Sequence, residues 1–145
     1  PPVHLLRRVF DEARTYTDAK GMLCETTLAI PAFFTLAGIE DGEGCVIERG
    51  EKLAHVQGAP ASIANHWIAG GGTGHPRGGD SEGRWRMMEE LRDRAPGDFS
   101  GVRPPILNTT TRLAIVANAA RGTLSVQGFE AHGGKASPAT AVFRL

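Results

Sequence analysis

A chain of 145 residues with 41% apolar and 22% charged side chains has the length for one ordinary core and the balance of a globular rather than a disordered protein. Sixteen basic and sixteen acidic side chains cancel, and no Lys/Arg stripe stands out, which argues against a nucleic-acid surface or an anionic-membrane surface. The longest apolar run, residues 28–37, is too short to span a bilayer and is interrupted by Pro31, so no membrane span is expected.

In chain order, Leu5, Leu6, Val9, Phe10, Ala13, Tyr16 and Ala19 recur at helical spacing, with Arg7, Arg8, Asp11, Glu12 and Arg14 between them. This predicts one amphipathic helix over residues 3–23, with Gly21 as its stop signal. The β-prone runs "AFFTLAG", "GCVIERG" and "KLAHVQG" follow, and "EDGEG" between the first two has the composition of a hairpin turn. After a glycine-rich stretch, Asp80 or Ser81 is expected to cap a second helix running to about Arg94, with Trp85, Met88 and Leu91 on one face. "APGDFSGVRPP" breaks the chain again. "TRLAIVANAARGTLSVQGFE" reads as a hairpin with a strand to Ala119, a turn at Ala120-Arg121-Gly122 and a strand from Thr123, and "TAVFRL" reads as a last strand. Short strands joined by tight turns pair antiparallel, and helices covering such sheets place the chain in the α+β class.

Few residues carry chemistry. The stretch "GGGTGHPRGGDS" lacks the Lys-Ser/Thr of a phosphate loop, and the spacing of a dinucleotide fingerprint fails at His75 and at Pro76. His55, His66, His75 and His132 are scattered without metal-ligand spacing, so neither metal nor cofactor is expected. Cys24 and Cys45 form no C-x-x-C pair and read as buried, reduced thiols rather than a disulfide. Ser81 is accounted for as a helix cap, and there is no G-x-S-x-G elbow. Asn65 and Arg84 remain, one on each side of the glycines. A carboxamide aimed into a cleft can stabilise an oxyanion, a contribution of about 3 kcal/mol in the transition state. A cation in the first turn of a helix is disfavoured by the macrodipole by roughly 0.3–1 kcal/mol, so Arg84 reads either as functional or as an ordinary surface arginine.

The ordered set formed by the hairpin "FFTLAGIEDGEGCVIERG", the tetrapeptide "ANHW" and "DSEGRWRMMEEL", with S-x-x-R opening the helix, resembles the C-terminal part of the N-terminal-nucleophile (Ntn) amidases. That group holds acid ceramidase, N-acylethanolamine acid amidase, penicillin V acylase and choloylglycine (bile salt) hydrolase. The likeness runs over nearly the whole chain, and "GEGCVIER" with "NHW" brings it nearest to the acid ceramidase branch. The resemblance implies an αββα sandwich of antiparallel sheets, of which residues 1–145 would form the C-terminal portion of a single domain. It also implies hydrolysis of a small amide by an N-terminal Cys, which attacks the carbonyl with its own α-amino group as base and forms an acyl-enzyme. By position, Asn65 would serve the oxyanion and Arg84 the charge network near the nucleophile, while Phe33, Phe34, His66 and Trp67 would line the acyl-chain pocket.

The sequence departs from the family pattern at several points. Ala64 stands where Thr is usual, residue 1 is Pro rather than Cys, and the Arg and Asp that closely follow the nucleophile are missing. Cys24 follows the first helix and Cys45 falls mid-strand. The expected nucleophile therefore belongs to an N-terminal segment or a partner chain, and the Pro1-Pro2 start suits a processed or trimmed product. The alternative is a non-catalytic binding or structural relative. Alone, the chain is expected to expose sheet edges and an apolar face, to need a partner, and to leave its oligomeric state open. Animal members of the family are lysosomal, whereas a composition rich in Ala, Gly and Arg reads as bacterial and cytoplasmic.

Overall fold

The helical periodicity of residues 3–23 is carried by two helices, not one. In the computed structural model, which describes residues 1–70, 78–94 and 97–145, α1 spans Pro2–Glu12 and α2 spans Tyr16–Glu25. Between them Ala13 is extended, at φ −69° and ψ 133°, and the Thr15 hydroxyl accepts the Asp18 N–H at 3.0 Å. A threonine that satisfies an orphan N–H at a helix start is worth about 1 kcal/mol, and this local cap overrides the apolar spacing. Gly21, expected as a stop, lies inside α2. Leu5, Val9, Ala19 and Leu23 from the two helices still reach one core.

The chain divides into two compact units, Pro1–Gly79 and Asp80–Leu145. In the first, β1 (Ala32–Ala37), β2 (Gly44–Arg49) and β3 (Ala54–Gly58) form an antiparallel sheet in that order. The turn expected at "EDGEG" is present. Gly42 takes φ +82°, which only glycine adopts without strain, and the Glu43 carboxylate accepts the Ile39 and Glu40 N–H groups at 3.1 and 3.2 Å. Alternation along the central strand sends Cys45, Ile47 and Arg49 toward the helices and Val46 and Glu48 to the other face. Phe34, Cys45 and Ile47 complete the helix-side core; burying a side chain such as Ile47 contributes about 1.5–3 kcal/mol.

Tyr16 packs against this core, and its hydroxyl hydrogen-bonds the Cys45 thiol. Burial first, and then that bond, push its pKa up to about 12. The folded protein therefore holds the phenolic proton above the ordinary value near 10, so the stabilisation is complete below about pH 10 and is lost as pH rises toward 12. Tyr16 is the chain's single tyrosine, so phenolate absorbance reports on it alone. We expect a midpoint near 12 in the native protein and about two units lower in denaturant. A native midpoint near 10 would refute the bond to Cys45.

In the second unit α3 spans Ser81–Arg92, with Asp80 as its cap: the carboxylate accepts the Gly83 N–H at 3.0 Å. The start was read correctly from the sequence, but the buried face was not. Ser81 and Met87 are buried, whereas Trp85, Met88 and Leu91 are half-buried. A helix this rich in charge has no dominant apolar stripe, so its surroundings choose the buried side. β4 (Leu113–Asn118) and β5 (Thr123–His132) form the expected hairpin, closed at Gly122 with φ +62°. β6 (Lys135–Pro138) was not anticipated. It pairs with β5 across Gly133-Gly134, both at positive φ, a two-residue turn whose Gly-Gly signal was present in the sequence. β7 (Phe143–Arg144), expected from "TAVFRL", also pairs with β5 and completes a four-stranded antiparallel sheet.

Register places Ile115, Val126 and Phe143 in one row of this second sheet, with Leu113 on the same face of β4. Leu113, Ile115, Phe143 and Leu145 are all more than half exposed, so the apolar face anticipated from the sequence is present. With three α-helices and two antiparallel sheets among the described residues, the chain is α+β. No described helix is long and apolar enough to cross a membrane.

Candidate active site

The face of the first sheet that looks away from the helices carries the candidate site. Antiparallel register aligns Phe33 of β1, Glu48 of β2 and His55 of β3 in one row across it. The chain leaving β3 returns over this face without regular structure. Its Trp67 ring meets Phe33 edge-on, with centroids 5.0 Å apart and planes at 86°. Such a T-shaped pair contributes about 0.5–1.5 kcal/mol beyond its area. Next along the chain, the Ile68 and Ala69 N–H groups donate to the Glu48 carboxylate at 3.0 and 3.2 Å. Asn65 lies two residues before Trp67 on the same segment, exposed, with His66 half-buried between them.

The structure brings Phe33 and Trp67 together and separates Phe34 from them. Phe34 points the other way, into the core under α1 and α2, so the adjacent phenylalanines do not form one wall. The reason is the two-residue period of a strand. Arg84 belongs to the second unit, where its N–H donates to the Asp80 carbonyl at 3.0 Å in the first turn of α3 and its side chain is half-buried. Most of the glycine-rich stretch weighed for phosphate binding, and His75 with it, lies outside the described residues.

Two buried charged side chains were missed in the sequence, Glu48 and Arg49. Glu48 is 3% exposed and Arg49 is 1% exposed. Arg49 donates to the carbonyls of Leu23, Thr26 at 2.8 Å and Leu53 at 3.0 Å, and so clamps the C-terminal end of α2 to the sheet. A usable signal existed: consecutive charged residues, "ER", directly following the buried run "CVI" in a central strand.

Both cysteines are free thiols. Burial pushes the Cys24 thiol above its ordinary value although the Arg49 guanidinium pulls the other way, and Cys45 is buried in the core. A thiol held protonated is a poor nucleophile, and one enclosed in the core is out of a substrate's reach. A cleft of about 490 Å³ is walled by Val9, Ala13, Tyr16, Leu36 and Ile39 on the helix side and reaches neither Asn65 nor Trp67. Among the described residues no cluster of three His, Cys, Asp or Glu side chains is arranged to hold a metal.

Fold and site together define an α+β protein in which an asparagine-bearing segment is fastened over one sheet face by an aromatic pair and a buried carboxylate. Part of this chain is similar to acid ceramidase. It is 46% identical to the Heterocephalus glaber protein, 44% to that of Homo sapiens and 42% to that of Rattus norvegicus, each over 48 residues. The matched stretch is 33% of this chain, and the chain spans 12% of the length of these curated relatives. No family model matches, and no solved structure matches. The likeness lends loose support to the acid ceramidase side of the family resemblance. The relatives are animal proteins, so they lend nothing to the bacterial origin read from composition.

Proposed function

We propose that this chain is part of an amide hydrolase of the Ntn type, acting on an N-acyl amide through a cysteine supplied by polypeptide other than residues 1–145. The observation that carries the reading is the Asn65-His66-Trp67 segment. Asn65 is an exposed residue, and the residues that follow it are tied to the sheet. The partial likeness to acid ceramidase points to the same chemistry. In this reading the thiolate attacks the amide carbonyl, the Asn65 side-chain N–H groups donate to the developing oxyanion, and the C–N bond breaks as the amine leaves with a proton. Water then releases the acid from the thioester. Phe33 and Trp67 contact the acyl chain, with His66 beside them and Phe34 backing them from the core side. Arg84 is assigned to the charge network around the thiol by resemblance alone. The exposed apolar face of the second sheet supports the need for further polypeptide.

The experiment is to supply a long-chain N-acyl amide to the active protein, quench with acid and map the acyl-thioester by peptide mass. The adduct is expected on a cysteine other than Cys24 or Cys45, and Cys24→Ser and Cys45→Ala should each keep turnover within about threefold, because burial pushes the Cys24 thiol up and Cys45 is enclosed in the core. An adduct on either internal thiol overturns the assignment. Absence of hydrolysis favours the non-catalytic binding or structural alternative.

A further inference from the structure

We infer that Glu48 is a positioning residue for the oxyanion donor: it holds the segment that bears Asn65 by accepting two consecutive backbone N–H groups. The inference rests on the reading of Asn65 above and concerns how that side chain is held in place. Asn65 is exposed, and the residues just after it are fastened to the sheet at two points. The Trp67 ring seats against Phe33, and one residue later the chain is caught by Glu48, whose Oε1 accepts from Ile68 at 3.0 Å and from Ala69 at 3.2 Å, with Oε2 also accepting from Ala69 at 3.2 Å.

Phe33 and Glu48 are cross-strand partners, so both fastenings belong to one row of a sheet whose central strand is buried on both faces. A carboxylate 3% exposed is costly unless it is hydrogen-bonded, and bonds from N–H to an ionised oxygen are about twice as strong as neutral ones. Two adjacent N–H groups turned toward one anion form a rigid concavity. The arrangement removes the freedom of residues 67–69 to swing. A displacement of about 1 Å at a reacting group can cost on the order of a hundredfold in rate.

The test uses the active protein and an N-acyl amide. Glu48→Gln keeps the shape but turns an N–H donor toward one of the two backbone donors, and Glu48→Ala removes both acceptors. We expect kcat to fall about tenfold for Glu48→Gln and up to about a hundredfold for Glu48→Ala, with KM within about twofold, since a misplaced donor is felt mainly in the transition state. Amide hydrogen exchange at Ile68 and Ala69 should accelerate in both variants while Gln57 of β3, opposite Val46 in the ladder, stays protected. In an Asn65→Ala background, Glu48→Gln should cost almost nothing further.

If Glu48→Ala does not fold, Glu48→Gln decides. Unchanged kcat and exchange in Glu48→Gln would overturn the inference, as would a loss that adds in full to that of Asn65→Ala. An Asn65→Ala variant of normal activity would end the oxyanion reading itself, and that failure is distinct from a slow Asn65→Ala paired with a normal Glu48→Gln.

Discussion

Asn65→Ala is expected to slow acylation of an amide substrate by about a hundredfold or more, since one oxyanion donor is worth about 3 kcal/mol. The interaction forms only as charge develops on the carbonyl oxygen, so kcat and kcat/KM should fall together with KM little changed. Asn65 is exposed, and substitutions at such positions usually change stability by no more than about 0.5 kcal/mol. The melting temperature of the variant should therefore match that of the parent. Single-turnover kinetics beside a thermal melt separate the two effects. A full acylation rate in a folded Asn65→Ala protein removes this residue from the mechanism, leaving the "ANHW" likeness without chemical meaning.

Arg49→Ala should produce the largest loss of stability of any single change considered for the first unit, about 3–5 kcal/mol. The guanidinium is 1% exposed and donates to three carbonyls, those of Leu23 and Thr26 at the end of α2 and of Leu53 beyond β2. Removing it strips the donors from carbonyls at a helix C-terminus and leaves a cavity beneath α2. Arg49→Lys should recover only part of the loss, because an ammonium cannot match the planar fork that reaches all three acceptors. Chemical denaturation with matched slopes measures this directly. A shift below about 1 kcal/mol for Arg49→Ala would mean that the clamp is not what joins α2 to the sheet.

The hairpins were legible in the sequence because their information is local. β-prone runs marked β1, β2, β4 and β5, and turn chemistry at Gly42 and Gly122 closed the pairs where the composition said it would. The Asp80 cap of α3 was legible for the same reason. The interruption at residues 13–15 was not, because a strong apolar spacing hid the weaker signal of the Thr15 cap. β6 was overlooked although Gly133-Gly134 announced its turn. Of the candidate site, Asn65, Trp67 and Phe33 could be named from sequence, but the split between Phe33 and Phe34 follows from which face of β1 the helices cover.

Local pattern alone determined that this chain builds antiparallel hairpins and helices of the α+β kind, and it pointed to Asn65 as the group worth testing. Tertiary structure alone decided that Glu48 and Arg49, adjacent charges at the end of an apolar run, are among its most deeply buried side chains. Their partners lie 20 or more residues away along the chain, except for Leu53, and on opposite faces of β2. A charge enters a protein interior only where distant backbone groups are already aligned to receive it, and no local stretch of sequence records that alignment.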